Sequence, residues 1–458
     1  MYKVLDTNIL LLDANNLITL GSDGSTIVLP ETVLDELDSK KSEPGELGYQ
    51  AREFGRLLTK ATKLSVNTDV NAMTITKLVL EERIIEVAST SIYPDFSDIS
   101  PKVVNDRKII EIAIQYSNIC GKEHVTFISN DVMCRIRAES LGLTATDIRD
   151  VEEKDLSFTR ELQLDPETFR VLHKKPIHDV DPNYLPNYYN YKFTCSHTAQ
   201  IKLATISNGL IEVIGKETEK ELRQQDINPL NAEQLFMSKA IQDSNIDIVI
   251  VESKSGSGKT AVALSNAIRL VKRHQYEGIL YIRASIDDVD QVEAVGFLPG
   301  LEEKFAVYLH PLKDTLDFIT RNNLKGSKLK GQQLEEKVES VIEETISKYN
   351  IQTLTGLGMR GRTFNNTVVI LDEVQNQSNA SLQKMLTRFG KGCKIIILGS
   401  NRQIDNPYLT KYTNGLSVIL DACTKVHENV RLHAVTLQRI VRGPIAEWAE
   451  CIFSKDCK

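Results

Sequence analysis

The chain runs to 458 residues, with 41% hydrophobic and 26% charged side chains and a formal net charge of -7 at pH 7. That composition belongs to folded protein and excludes disordered and collagen-like chains; at about 150 residues per domain the length calls for two to four hydrophobic cores. The acidic balance repels a nucleic-acid backbone over the molecule as a whole, so any polynucleotide contact has to be local.

From the N-terminus, MYKVLDTN puts charge where a secretory signal needs its apolar core, and no later run approaches the roughly 20 apolar residues of a membrane span. The seven cysteines are scattered, odd in number and never spaced C-x-x-C, which argues against disulfides and zinc. A reduced, cytoplasmic setting is expected.

Residues 1 to 150 alternate short apolar runs (YKVL, STIVL, VTFIS) with helical periodicity in PETVLDEL and DRKIIEIAIQY, the alternation of an α/β domain. Pro30 and Glu31 ahead of Val33, Leu34 and Leu37 mark a helix start. Four acids fall at particular places: Asp6 after the first strand, Glu36 on that helix, Asp106 at a helix start and Asp131 after VTFIS. Carboxylates at the carboxyl ends of parallel strands can converge, and convergence requires a divalent cation between them. Oxygen-only ligands suit Mg²⁺ or Mn²⁺, which activate water for in-line attack on a phosphodiester. Spacing alone does not single these four out from 62 acids. Asp35 and Asp38 flank Glu36, but neighbours on a helix point about 100° apart, so only one of the three faces the cluster.

From 151 to 225 the texture changes to a linker with a small β element: prolines and tyrosines cluster in DPNYLPNYYNY, and AQIKLATISNGLIEVIG reads as two strands around Ser207, Asn208 and Gly209. Residues 226 to 458 return to α/β alternation, with apolar strand runs at IDIVIVE, EGILYIR, NTVVILDE and KIIILG that indicate a parallel sheet covered on both faces. The charged stretch from 321 to 348 reads as a solvated helix with i,i+4 pairs.

Within that region ESKSGSGKTA, Glu252 to Ala261, follows an apolar strand and opens a helix. Successive backbone N–H groups at a helix base cradle phosphates, and glycine permits the conformations they need. The residues Ser255, Gly256, Ser257 and Gly258 form the cradle, Lys259 reaches the β- and γ-phosphates, and the Thr260 hydroxyl ligates Mg²⁺. Ser253 stands where G-x-x-x-x-G-K-[ST] has its first glycine, a cost of about 1 kcal/mol if the position needs positive φ and none otherwise. Downstream, VVILDE ends an apolar strand in two carboxylates: Asp372 suits the metal and Glu373 the polarising of an attacking water, a pair that fits nucleotide hydrolysis.

The C-terminal half resembles the PhoH-like ATPases, a phosphate-starvation-associated family related to superfamily 1 helicases. The likeness rests on NPLNAEQLFMSKAI, the GKT loop, GFLPGLEEKFAVYLHPLKDTL, MRGRTF, LDEVQN, LTRFG, RQID and RIVRGP, in that order. It implies an RecA-like P-loop NTPase domain that takes ATP with Mg²⁺. It places Gln234 as the adenine reader, Gln375 and Gln403 as γ-phosphate sensors and Arg442 as an arginine finger, with Arg360 or Arg362 as alternatives reaching a neighbouring subunit's nucleotide. Ser400 in LGSNRQID departs from an aspartate usual in the family, which makes binding of ATP a firmer expectation than fast hydrolysis.

The first 150 residues resemble the PIN-domain ribonucleases through VLDTNILL, PETVLDELD, VNDRKIIEIAI and FISNDVMCRIRAESLGL. That likeness maps the metal-holding acids onto Asp6, Glu36, Asp106 and Asp131, with Thr7, Asn8 and Ser129 beside them. Together the two resemblances imply an ATPase that moves along or unwinds RNA, coupled to a metal-dependent endoribonuclease in a homo-oligomeric ring, with a hexamer expected and single-stranded DNA left open as substrate. Two other readings stand beside it: an ATP-gated RNA-binding or assembly switch with little turnover, and a toxin-type nuclease with a regulatory ATPase module.

Overall fold

A computed structural model describes the chain except residues 44, 71–72, 95–100, 149–157, 185–188, 225, 285–300, 326–328, 355–358, 360, 407–408, 410, 412–413 and 455–458. GFLPG and Arg360 therefore lie outside the described residues. The chain divides into two units, Met1–Lys154 and Asp155–Lys458.

In the first unit a seven-stranded sheet runs β3-β4-β5-β2-β1-β6-β7. The strands are β1 (Tyr2–Leu5), β2 (Thr26–Pro30), β3 (Thr62–Val70), β4 (Met73–Leu80), β5 (Arg83–Thr90), β6 (Val125–Ile128) and β7 (Thr144–Thr146). Apolar YKVL takes the middle of the sheet, parallel to β2 and β6, because Val4 and Leu5 are covered on both faces. Its carboxyl end therefore meets that of β6, which brings Asp6 beside Ser129 through their side chains. The sheet is larger than the sequence reading allowed, since β3, β4 and β5 form an antiparallel extension. The β4–β5 hairpin turns on Glu81 and Glu82, both left-handed at φ 47° and 66°, so the usual Asn-Gly signal for a two-residue turn is missing. Helix Pro101–Cys120 begins five residues before Asp106 rather than at it, so Asp106 sits in the second turn.

The second unit holds two sheets. A small one, β11-β10-β9-β8, is built from β8 (Thr159–Leu164), β9 (Asn190–Cys195), β10 (Ile201–Ser207) and β11 (Leu210–Val213). Asn208 and Gly209 close its β10–β11 hairpin with positive φ at both positions, as Asn-Gly favours. The larger sheet is all parallel, in the order β14-β13-β15-β16-β12-β17. Its strands are β12 (Ile248–Ser253), β13 (Gly278–Arg283), β14 (Ile351–Leu354), β15 (Thr367–Asp372), β16 (Lys394–Gly399) and β17 (Leu432–Leu437). Four of these coincide with the apolar runs in the sequence; β14 and β17 are edge strands with mixed polarity and carry no such run. In this order β16 and β17 flank β12, and β15 lies one strand further out, so the loops that follow β12 and β15 leave the same edge of carboxyl ends.

Buried polar groups fasten the small sheet to β17. Asn190 donates to the carbonyls of Phe158 and Ala434, both at 3.0 Å, and accepts from His433 Nε2 at 2.9 Å. The Tyr189 ring stacks on His433 with centroids 5.3 Å apart. Burial pushes the His433 imidazole down to about 3, so it is neutral and its Nε2 carries the proton.

Candidate functional site

The stretch ESKSGSGKTA leaves the end of β12 and opens helix Lys259–Lys272. Ser253 is the last residue of β12, registered against Leu437, and has no positive φ. By the criterion of backbone strain the replaced glycine costs nothing. The left-handed positions are Gly256, at φ 73°, and Gly258, at φ 81°. A Cβ on Gly256 would stand 3.1 Å from Arg442 Cβ, and one on Gly258 would stand 3.1 Å from Gln234 Nε2, so any side chain at either position would be strained by both backbone and neighbours.

What presses on the loop is its own chain. The Gly256 carbonyl accepts from the amides of Val441 at 2.9 Å and Arg442 at 3.1 Å. Gln234, 2% exposed, donates from Nε2 to the Ser257 carbonyl at 2.8 Å and accepts at Oε1 from Leu230 N–H at 2.8 Å. Its amide thus splints the loop, with one N–H and one lone pair uncommitted. Arg442 is exposed beside its own loop. Arg362 lies 5.0 Å over the Phe364 ring.

An anion fits this cradle on two observations. Among the described residues the Ser257 hydroxyl is buried with no hydrogen-bond partner, and the amides of Ser255, Gly256 and Gly258 donate to no other group. Such groups are costly unless something accepts from them. The helix N-terminus adds its dipole to theirs.

The acid pair stands against the cradle. Thr260 Oγ1 donates to Asp372 Oδ2 at 3.1 Å, and Lys259 Nζ lies 3.2 Å from Glu373 Oε1. Asp372 ends β15 and Glu373 follows it in the left-handed region at φ 59°, a conformation that costs a non-glycine residue roughly 1–3 kcal/mol and clusters at functional sites. The two carboxylates have different partners, and their environments differ. Burial raises the Asp372 carboxyl above the usual carboxylate range, against the pull of Lys259. Burial pushes Glu373 up as well, but Lys259 and the Gln375 amide outweigh it and hold Glu373 below its ordinary value. Gln375, fully buried, donates to Glu373 Oε2 at 2.7 Å and to the Gln403 carbonyl at 2.8 Å, and accepts from Ser400 N–H at 3.0 Å. The Gln403 side chain is exposed, so its backbone rather than its amide joins the network. Ser400 Oγ is buried without a partner among the described residues.

Two residues of this site escaped the sequence reading, which took EGILYIR as a plain buried strand. Tyr281 donates to Asp372 Oδ2 at 2.8 Å. Arg283, two residues on and on the same face of β13, is registered against Asp372. The available signal was a phenol and a guanidinium at i,i+2 in an otherwise apolar strand.

At the carboxyl ends of β1 and β6, Asp6 caps helix Thr7–Leu12, accepting from Thr7 N–H at 2.7 Å, Ser129 Oγ at 2.6 Å and the Asn8 amide. Glu36 accepts from Thr7 Oγ1 and from Asn105 Nδ2. Asp106 is turned to Arg137 Nη1 at 2.8 Å. Asp131 caps helix Val132–Ser140 by accepting from Met133 N–H at 2.8 Å and Cys134 N–H at 3.3 Å. Asp35 and Asp38 take no part in this network, and Asp38 pairs instead with Lys41 at 2.7 Å.

The acids feel one another's charge. Burial, then the nearness of Asp106 and Glu36, raises Asp6 to about 6. Burial raises Asp106 too, with Asp131 and Glu36 adding and Arg137 opposing. The expected cage is nonetheless not closed: among the described residues no three such groups stand together as an ion would need. The reason is local, since Arg137 holds Asp106 while Thr7 and Asn105 hold Glu36.

Two family matches fall on this chain, one within each unit. Residues 226–454 match the family described as PhoH-like protein, and residues 3–149 match the PIN domain. Protein PhoH2 of Bacillus subtilis (strain 168) is 25% identical over 437 residues, covering 91% of this chain and 92% of that one. Protein PhoH2 of Thermobispora bispora is 25% identical over 457 residues, covering 97% and 94%. A PhoH-like protein of B. subtilis is 32% identical over 200 residues, 43% of this chain and 56% of its own. No described helix is long and apolar enough to cross a membrane. The match over half of the sequence, on the half that carries the cradle and the acid pair, places this chain in the PhoH-like protein family, with a PIN domain preceding the family's own.

Proposed function

We propose that the chain couples ATP hydrolysis to movement along, or unwinding of, RNA, and joins that motor to a divalent-metal-dependent endoribonuclease. The observation that carries the ATPase is the double tie between cradle and acid pair, Lys259 to Glu373 at 3.2 Å and Thr260 to Asp372 at 3.1 Å. Magnesium bound with the triphosphate would neutralise charge developing on the transferred phosphoryl group, with Thr260 and Asp372 as the residues to hold it. Lys259 leaves Glu373 for phosphate oxygens, which frees the Glu373 carboxylate to accept a proton from the attacking water. Gln375 keeps Glu373 aimed and links it to the Ser400–Gln403 turn, a route by which that turn senses the γ-phosphate. Gln234 supports the loop from behind and offers its remaining N–H and lone pair to adenine. Arg442, Arg360 and Arg362 are the candidates for a finger into a neighbouring subunit of a ring, a hexamer in this reading.

In the PIN half, Asp6, Glu36, Asp106 and Asp131 suit Mg²⁺ or Mn²⁺ by their all-oxygen chemistry. Sharing one ion requires Asp106 to give up Arg137. A second reading, a nucleotide-gated switch with little turnover, is favoured by the Ser400 hydroxyl, which has no partner among the described residues and carries no charge to orient water. Phosphate release by the full chain with and without single-stranded RNA separates the two. Turnover stimulated by RNA and lost in Glu373→Gln supports the motor; nucleotide binding without turnover supports the switch. RNA cleavage that persists in Lys259→Ala and vanishes in Asp6→Asn would instead favour an autonomous nuclease, and matched RNA and DNA strands decide the substrate.

A further inference from the structure

Asp372 is 2% exposed, and the described donors to its carboxylate are few. Oδ1 accepts from the Glu373 amide at 3.0 Å. Oδ2 accepts from two hydroxyls, Thr260 Oγ1 at 3.1 Å and Tyr281 OH at 2.8 Å. Thr260 belongs to the cradle and is the group that a bound metal would claim. Tyr281 belongs to β13, the strand registered beside β15, with no tie to the loop. Its ring is 1% exposed within the sheet core, where a phenylalanine would fill the same space without placing a polar oxygen among Ile279, Ile370 and Leu264. A buried phenol is costly without an acceptor, so its oxygen at this depth is accounted for by Asp372. A phenol is neutral at physiological pH, so toward a carboxylate oxygen at 2.8 Å it is the donor.

We propose that Tyr281 is a positioning residue of the ATP site: it holds Asp372 Oδ2 facing Thr260, so that the carboxylate is already aimed when nucleotide and magnesium arrive together. The inference rests on the nucleotide reading above. A neutral donor suits this task, because it fixes the carboxylate without cancelling the negative charge that attracts the cation. Lys259, by contrast, is engaged with the other acid.

The test is the affinity of the full chain for a fluorescent ATP analogue, measured in EDTA and across a magnesium titration, for the wild type and Tyr281→Phe. In EDTA the two should bind alike, which also reports that the variant has folded. With magnesium, the half-saturating concentration should rise about tenfold or more in the variant, the scale of a hydrogen bond to a charged group. A second measurement covers a variant whose folding is weakened: in an Asp372→Asn background, the magnesium effect of Tyr281→Phe should vanish, whereas a role confined to core packing would persist and add. An unchanged magnesium titration in Tyr281→Phe, or simple additivity with Asp372→Asn, overturns the inference and leaves the ATP site standing. A wild type that binds no nucleotide overturns the ATP reading itself, and this inference with it.

Discussion

At the cradle, a lysine stands 3.2 Å from Glu373, while two hydroxyls and a backbone amide hold Asp372. At the carboxyl ends of the PIN sheet's β1 and β6, of the four carboxylates only Asp106 has a guanidinium partner among the described residues, Arg137. The first arrangement splits two adjacent acids by their surroundings, one raised and one lowered. The second lifts Asp6 to about 6, through burial first and then through its acidic neighbours. Lys259 sets Glu373 before any ligand arrives; the acids that Arg137 does not hold take hydrogen bonds from Thr7, Asn8, Ser129 and Asn105 instead.

The sharpest way to break this comparison is at Glu373. Glu373→Gln should lower ATP turnover by about 10²- to 10⁴-fold, the usual share of a general base, while nucleotide binding survives. Retained turnover in steady-state phosphate release would remove the functional difference between the paired and unpaired acids. At the other site, Asp6→Asn should abolish metal-dependent RNA cleavage in a gel assay and leave phosphate release within about twofold of wild type, since the two sites belong to separate units with separate cores. It should also raise thermal stability slightly, because it removes a buried charge held among like charges.

His433 probes a neutral buried group instead. Its folded-state pKa, about 3, lies below the unfolded value of about 6.5, so its contribution is fully present above pH 6.5 and is lost as pH falls toward 3. Over that window the loss is on the order of a few kcal/mol at roughly 1.4 kcal/mol per unit. Urea unfolding at pH 7 and pH 4 should show it, and His433→Gln should flatten the difference. The smallest effect belongs to Ser253→Gly: with no positive φ to relieve, stability at pH 7 should fall by about 1 kcal/mol or less, from the extra freedom of glycine within a strand. A gain would show that the serine is strained after all.

The contrast between the sites also explains which parts could be read from the letters. Strand, loop and helix succeed one another within ESKSGSGKTA, so the cradle is local in sequence and its chemistry is legible there. The β12, β13, β15 and β16 runs are continuous and apolar because both faces are covered. The edge strands β14 and β17 are not, and the β3–β5 extension hides behind a Glu81-Glu82 turn with no glycine. The acid site draws on residues more than a hundred positions apart, and nothing near Asp106 announces that Arg137 will take it. Tyr281 was illegible for the same reason, since its partner Asp372 lies 91 residues on and meets it only through sheet order.

The central claim is that Lys259, Thr260, Asp372 and Glu373 form one site that turns over ATP under the control of RNA. Its most direct test is phosphate release by the full chain with magnesium, with and without single-stranded RNA, alongside fluorescent-nucleotide binding by Glu373→Gln. The account predicts release that rises with RNA and is lost in the variant while binding persists. Release that ignores both RNA and the loss of Glu373, or no nucleotide binding at all, would contradict it.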